Sequence, residues 1–196
     1  MELNEQIKDL QAVAVRRKIR LWKPLMEKYG YDVICEIGVR DSRNFIPMIE
    51  HNPKLAVAID PWRETGIPSQ NDGAQSQEML DVFYEDLKKV TADKPFVKIH
   101  RDFSFNVVKE YPDEFFDLIY IDADHTYDAV LKDLIDWYPK VRSGGLFSGD
   151  DYNNDRAKAV YVRFGVYDAV QKFVKDMHLE DRLFSFPRGG WGIIKP

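Results

Sequence analysis

Short apolar runs alternate with longer stretches in which apolar residues recur every three or four positions. Val33–Ile37, Leu55–Ile59, Phe96–Ile99, Leu118–Ile121 and Leu146–Ser148 are brief and nearly uninterrupted in their apolar character. That is the pattern of strands buried on both faces of a parallel sheet. Between them, helices are predicted over Ser42–Glu50, Glu78–Thr91, Phe105–Glu110 and Thr126–Tyr138. Met79, Leu80, Phe83 and Leu87 form the expected buried stripe of the second. Val130, Leu131, Leu134, Ile135 and Tyr138 form that of the last, with Thr126 as its cap. Lys94-Pro95 breaks one helix, and Pro139 with Gly144-Gly145 ends another and turns the chain. Upstream, Leu3, Ile7, Leu10, Val13 and Ile19 keep helical spacing, and a second short helix around Lys23–Lys28 ends near Gly30. Downstream, a helix over Val166–Met177 precedes two last strands, Leu183–Phe186 and Trp191–Ile194. Their short join, Pro187-Arg188-Gly189-Gly190, makes them an antiparallel hairpin. The pattern predicts one α/β domain over residues 1–196, with 1–30 as an N-terminal helical segment. It contains no internal repeat or linker.

The acids recur at one place in this pattern. Glu36 closes the first strand, Asp60 ends the second, Asp102 lies just past the third, Asp122 ends the fourth and Asp150-Asp151 the fifth. Right-handed strand–helix–strand units point their strands the same way, so these turns share one sheet edge. Open α/β sheets bind ligands there. Gly38 lets a ligand approach the backbone. The spacing 60 − 36 = 24 suits one strand–helix–strand unit, and an acid at the second strand's end can accept two hydrogen bonds from a ribose diol. Asp122, Asp150 and Asp151, with His125 beside them, would repel one another unless a hard divalent cation lay among them. Each of these acids could also be a plain turn residue. Trp62–Gln77 is polar and turn-rich, and reads as a lid over that edge or as a solvent loop.

Composition narrows the classes. The 196 residues suffice for a sizeable core, and 44% hydrophobic with 31% charged residues is ordinary for a globular chain. A net charge of -5 disfavours a protein that wraps a nucleic-acid backbone; Arg16-Arg17-Lys18 reads as one solvated helix face. No apolar run is long enough to span a bilayer, and the polar start MELNEQIKDL is not that of a signal peptide. The single cysteine, Cys35, excludes an intrachain disulfide and fits a reducing, cytoplasmic setting. Its apolar surroundings make it a buried structural thiol. A nicotinamide dehydrogenase would carry Gly-x-Gly-x-x-Gly after the first strand; EIGVRDSRNF has only Gly38.

From about Tyr31 onward the chain resembles the class I S-adenosylmethionine-dependent methyltransferases. VICEIGVRDS resembles their first motif, AVAIDPW the second, HRDFS the third and DLIYIDADH the fourth. Ser42 stands where members usually carry a second glycine, which bears on cofactor affinity. The resemblance implies a Rossmann-like methyltransferase fold: a mostly parallel seven-stranded sheet, closed by the C-terminal hairpin, with helices on both faces. Residues 120–152 are similar to the metal-dependent O-methyltransferases of the catechol and caffeoyl-coenzyme A type. They are closer still to those acting on macrolide deoxysugars, with Asp122-x-x-His125 and the Asp150-Asp151 pair at matching places.

That resemblance implies S-adenosylmethionine held by Glu36, Gly38, Asp60, Trp62, Asp102, Ser104 and Asp122. It implies Mg²⁺ or Mn²⁺ on Asp122, Asp150 and Asp151, and His125 with Asp122 in catalysis. The expected reaction is methyl transfer to a sugar hydroxyl, with His125 as general base; its reference pKa near 6.5 suits the role. Tyr127, Asn153, Arg163 and Trp62 lie in stretches that could touch the sugar. A catechol is the alternative acceptor, with Trp62 and Phe164 as aromatic walls. A module that binds the cofactor or a partner without catalysis is the non-enzymatic alternative. His51, His100 and His178 read as structural or exposed. The partner is a small molecule or glycan, not nucleic acid or membrane, and a homo-oligomer stays open.

Overall fold

The computed structural model describes residues 3–14, 22–64, 76–152, 165–186 and 189–196. Seven strands form one sheet: β1 (Val33–Ile37), β2 (Leu55–Ile59), β3 (Val97–His100), β4 (Phe116–Ile121), β5 (Val141–Gly149), β6 (Leu183–Ser185) and β7 (Trp191–Ile194). Their order across the sheet is β3-β2-β1-β4-β5-β7-β6. The first five are parallel, and β7 enters antiparallel between β5 and β6. This is the seven-stranded Rossmann-like methyltransferase architecture with its terminal hairpin. The order reverses between β1 and β4, so the chain's switch point lies at the carboxyl ends of the two central strands.

Burial explains the sequence pattern. All six residues of β4 are buried, as a strand covered on both faces requires. One apolar layer joins Cys35, Val57 and Ile119 to Trp137, Val170 and Phe173. It lies under α5 (Ser104–Val107), α6 (Tyr127–Trp137) and α7 (Val166–Asp176). The opposite layer joins Ile34, Ala56 and Leu118 to Leu10, Trp22, Phe45 and Leu87. It lies under α1 (Leu3–Ala14), α2 (Trp22–Tyr29), α3 (Phe45–Met48) and α4 (Gln77–Val90). Cys35 is fully buried in the first layer, and desolvation pushes its thiol well up.

Several boundaries depart from expectation. The helix expected over Ser42–Glu50 is one turn, Phe45–Met48. Ser42 has φ +64, a left-handed conformation that cannot open a helix, and Pro47 fits only near a helix start. Thr126 caps α6 by position without a side-chain bond; Asp124 instead accepts from the Thr126 amide at 2.8 Å. Met79 and Ile135, placed in buried stripes by periodicity, are 47% and 56% exposed. On α6, Asp133 is buried instead. Gly144-Gly145 lies inside β5, next to a register shift against β4, and is not a turn. A Cβ at Gly145 would come within 2.9 Å of the carbonyl oxygens of Asp117 and Arg142, so glycine is what lets the two strands close. Residues 15–21, which include Arg16-Arg17-Lys18 and Ile19, lie outside the described residues, as do 65–75 of the expected lid.

Candidate functional site

Backbone hydrogen bonds continue past the strand ends and draw the turns together. The Gly38 amide donates to Ile59 O at 2.8 Å, Asp60 to His100 O at 3.2 Å, Asp122 to Ile37 O at 2.8 Å and Asp150 to Ile121 O at 3.1 Å. The acids at the ends of β1, β2, β4 and β5 thereby share one edge. Gly38 has φ +91, and a Cβ there would overlap the Asp122 carbonyl and lie 2.7 Å from Ala123 Cα. The open direction of this glycine is therefore filled by the turn after β4. Four of the non-glycine residues with left-handed φ lie here too: Arg40 (+48), Ser42 (+64), Trp62 (+38) and Asp151 (+57). Such conformations persist where surrounding contacts enforce them, and they gather at functional sites.

On the β1–β2 side the acids are enclosed. Glu36 is 1% exposed. Its Oε1 accepts from Asn44 Nδ2 at 3.0 Å, and Asn44 Oδ1 in turn accepts from Trp22 Nε1 at 2.8 Å. Its Oε2 is buried with no hydrogen-bond partner among the described residues. Desolvation pushes the Glu36 carboxyl well up; Asn44 opposes this, and Asp122, Asp60 and Asp41 add to it. Asp60 accepts from the backbone amides of Arg40 (2.9 Å, Oδ2) and Trp62 (2.7 Å, Oδ1). Burial raises its carboxyl, while these two bonds and the Arg40 charge pull it back.

Trp62 is fully buried. Its indole packs 5.2 Å from the Tyr84 ring, and its Nε1 donates to Arg40 O at 2.8 Å. Its side chain is core, whatever its backbone does. Asp102 accepts from the Phe103 amide and Asn106 Nδ2, which hold its carboxyl below the usual range. Ser104 is turned inward: its Oγ donates to Asp133 Oδ1 at 2.6 Å. Burial pushes the Asp133 carboxyl up to about 6.

The β4–β5 side is more open. His125 Nε2 stands 3.3 Å from Asp122 Oδ1 and 3.2 Å from Asp151 Oδ2, and the three side chains are between a quarter and a third exposed. Each offers one ligand atom, and those atoms all lie within 4.8 Å of one another. Asp150 is not in that group; its Oδ1 accepts from the Asp151 amide at 2.9 Å. The geometry thus brings together Asp122, Asp151 and His125, where the sequence pattern grouped Asp122, Asp150 and Asp151 with His125 beside them. The turn carrying His125 is also fixed from behind, where the Gly165 amide donates to His125 O at 2.7 Å.

Tyr127 is 37% exposed at the start of α6. Asn153, Arg163 and Phe164 lie outside the described residues. His51 bonds Met48 O and Tyr31 O, and His100 bonds the Tyr111 hydroxyl, so both are built into the scaffold. Asn44, Gln77 and Arg101 were not singled out by the sequence. Gln77 and Arg101 both reach Trp62 O. The sequence pattern left Gln77 at the end of the polar loop; α4 begins one residue earlier than expected and puts Gln77 on one face with Asp81 and Tyr84. No helix among the described residues is long and apolar enough to cross a membrane.

A methyltransferase-domain family model matches residues 36–152, from the end of β1 through the acid pair after β5. No curated protein gives a significant match. Among solved structures, the chain is similar to an O-methyltransferase from Bacillus cereus in complex with SAH (14% identity, TM-score 0.62, covering 98% of this chain and 90% of that one). It is similar to TomG, an O-methyltransferase from Streptomyces achromogenes involved in tomaymycin synthesis, in complex with SAM (15%, 0.62, 98% and 90%). It is also similar to the O-methyltransferase NovP (16%, 0.63, 96% and 80%). The chain belongs to the methyltransferase-domain family.

Proposed function

We propose, with that membership as the premise, that the chain is an S-adenosylmethionine-dependent O-methyltransferase of one domain. Its transfer depends on a divalent ion, Mg²⁺ or Mn²⁺. Its acceptor is a sugar hydroxyl on a glycan, a nucleotide sugar or a glycosylated metabolite in the cytoplasm. The observation that carries this reading is the meeting of Asp122, His125 and Asp151 at the edge shared with Glu36 and Asp60.

The cofactor set on this reading is Glu36, Gly38, Asp60, Trp62, Asp102, Ser104 and Asp122. Glu36 Oε2 is a buried acceptor with no partner among the described residues, which suits a cationic or N–H-bearing ligand. The Asp60 oxygens keep lone pairs beyond the two amides they accept from, which suits a ribose diol. Trp62 contributes through its backbone, and Gly38 through the close approach of two turns.

The donor chemistry fits a divalent ion. Asp122 and Asp151 supply hard oxygens, with Asp150 as the third acid of the set. When bound, the ion would act as a Lewis acid on the acceptor oxygen. His125, oriented by the carboxylates on either side of Nε2, takes the hydroxyl proton as general base. Bound S-adenosylmethionine would supply the methyl group to the acceptor oxygen, its carbon–sulfur bond breaking to give the neutral thioether. Glu36 and Asp60 contribute by holding the donor in line.

The sugar rests on the Asp122-x-x-His125 and Asp150-Asp151 pattern. The catechol alternative needs aromatic walls, and Trp62, one of its two candidates, is core.

The test is uptake of labelled methyl groups from S-adenosylmethionine by a panel of rhamnose-containing and other glycosides, with and without chelation. Uptake by a sugar, lost on chelation and restored by Mn²⁺ or Mg²⁺, is expected. Uptake that survives thorough chelation removes the metal. Uptake by catechols alone removes the sugar. Cofactor binding with no uptake by any acceptor in the panel would favour a non-catalytic module.

A further inference from the structure

The turn after β2 is gripped from outside the sheet. Gln77, Asp81 and Tyr84 stand at i, i+4 and i+7 on α4 and so share a face. Arg101, immediately after β3, lies over the Tyr84 ring with its guanidinium carbon 4.7 Å from the centroid. Arg101 Nη2 donates to Trp62 O at 3.0 Å and also to the Asp81 carboxylate. Gln77 Nε2 donates to the same Trp62 O at 2.9 Å and to Asp81 Oδ1 at 3.0 Å. Glu64 and Gln77 complete the clasp. The Glu64 amide donates to Gln77 Oε1 at 3.2 Å and the Gln77 amide to Glu64 Oε1 at 2.6 Å.

All of this acts on a tryptophan in a left-handed conformation, φ +38. A bulky side chain does not hold that conformation unless its neighbours enforce it. Two donors on one carbonyl, one of them a guanidinium that also stacks on an aromatic face, are such an enforcement. The held residue matters because its own amide fixes Asp60 Oδ1 at 2.7 Å. The rotation of the Asp60 carboxylate is thus coupled to Arg101 and Gln77 across a single residue, Trp62, whose amide holds the carboxylate and whose carbonyl they hold.

We infer that Arg101 and Gln77 are positioning residues for the donor's ribose. They set the Asp60–Trp62 turn so that Asp60 keeps the lone pairs not used by Arg40 and Trp62 available to a vicinal diol. This rests on the cofactor reading above and adds two residues that touch neither cofactor nor acceptor in it. A merely structural clasp would steady the protein equally for any ligand; a positioning clasp matters only to a ligand that carries the diol.

Calorimetry on the full chain separates these, with S-adenosylhomocysteine and its 2′,3′-dideoxy analogue as probes. The variants are Arg101→Met, Gln77→Met and Arg101→Lys. Arg101→Met and Gln77→Met should each bind S-adenosylhomocysteine about tenfold more weakly than the unaltered chain, the scale of one charge-assisted or well-placed hydrogen bond. Both should bind the dideoxy analogue as the unaltered chain does. Arg101→Lys, which keeps a cationic donor, should recover part of the loss. An equal loss for both ligands, or none for either, would overturn the inference while leaving the cofactor reading intact. An unaltered chain that binds no S-adenosylhomocysteine, or binds both ligands alike, would overturn the place of Asp60 in cofactor binding and this inference with it.

Discussion

The turns after β1 and β2 and the turns after β4 and β5 share one sheet edge, and both are rich in acids. They are built by opposite means. In the first half the carboxylates are enclosed, and protein donors already orient them: Asn44 on Glu36, and the amides of Arg40 and Trp62 on Asp60. Desolvation is the leading influence on both, and both are pushed up. In the second half Asp122, His125 and Asp151 are partly open, and the contacts among them are those of one imidazole lodged between two carboxylates. On the function proposed above, the enclosed half would hold the donor and the open half would deprotonate the acceptor. A site that must hold one reactant still while deprotonating another needs both kinds of surface.

The joint between the halves is where the comparison is most easily broken. Gly38→Ala would place a methyl group against the Asp122 carbonyl at a backbone angle that alanine resists. A loss of about 3 kcal/mol is expected, read as a fall in thermal midpoint of roughly 10 °C. Cofactor binding and turnover should fall together, because both turns must shift. A variant with unchanged midpoint would mean that the halves are not pinned through this contact.

His125→Ala tests the division of labour. Turnover should slow by at least about a hundredfold, equivalent to about 2.7 kcal/mol, with S-adenosylhomocysteine binding unchanged by calorimetry. If binding weakens as much as turnover, the two halves are one site and the distinction is wrong.

Asp133→Asn sharpens the contrast between enclosed and open acids through pH. Burial lifts the Asp133 carboxyl from 3.8 to about 6. A carboxyl so raised stays protonated longer in the folded chain than in the unfolded one. Its contribution to stability is greatest below pH 3.8, declines as pH rises towards about 6 and is flat above. Replacement by Asn keeps an acceptor for Ser104 Oγ and removes the titration. Denaturant melts between pH 4 and 7 should show a decline smaller by about 2 kcal/mol in the variant. An unaltered slope would mean that Asp133 is more solvated than its packing indicates.

Much of this site is legible in the amino-acid sequence. Continuous apolar runs are distinctive for strands buried on both faces, so β1, β2 and β4 lie where the pattern puts them, with Glu36 one residue inside the end of β1 and Asp60 and Asp122 just past β2 and β4. Helix faces were less legible. Periodicity gave Ile135 to the core, yet the α6 face that packs inward carries Asp133, which Ser104 satisfies from another helix. A hydrogen bond between residues 29 apart leaves no local trace. Gly144-Gly145 looked like a turn because glycine pairs usually are; here the pair lets β5 close against Asp117.

The amino-acid sequence by itself determined the layering, the strand ends and the acids that stand on them, because burial on both faces and the reach of a strand–helix–strand unit are local or short-range demands. Only the tertiary structure decided which of those acids meet. It chose Asp151 rather than Asp150 to stand with Asp122 and His125, buried Trp62, and set Arg101 and Gln77 on the carbonyl of a left-handed residue. Those outcomes depend on side-chain rotation and on contacts between distant segments, and no spacing along the chain encodes either.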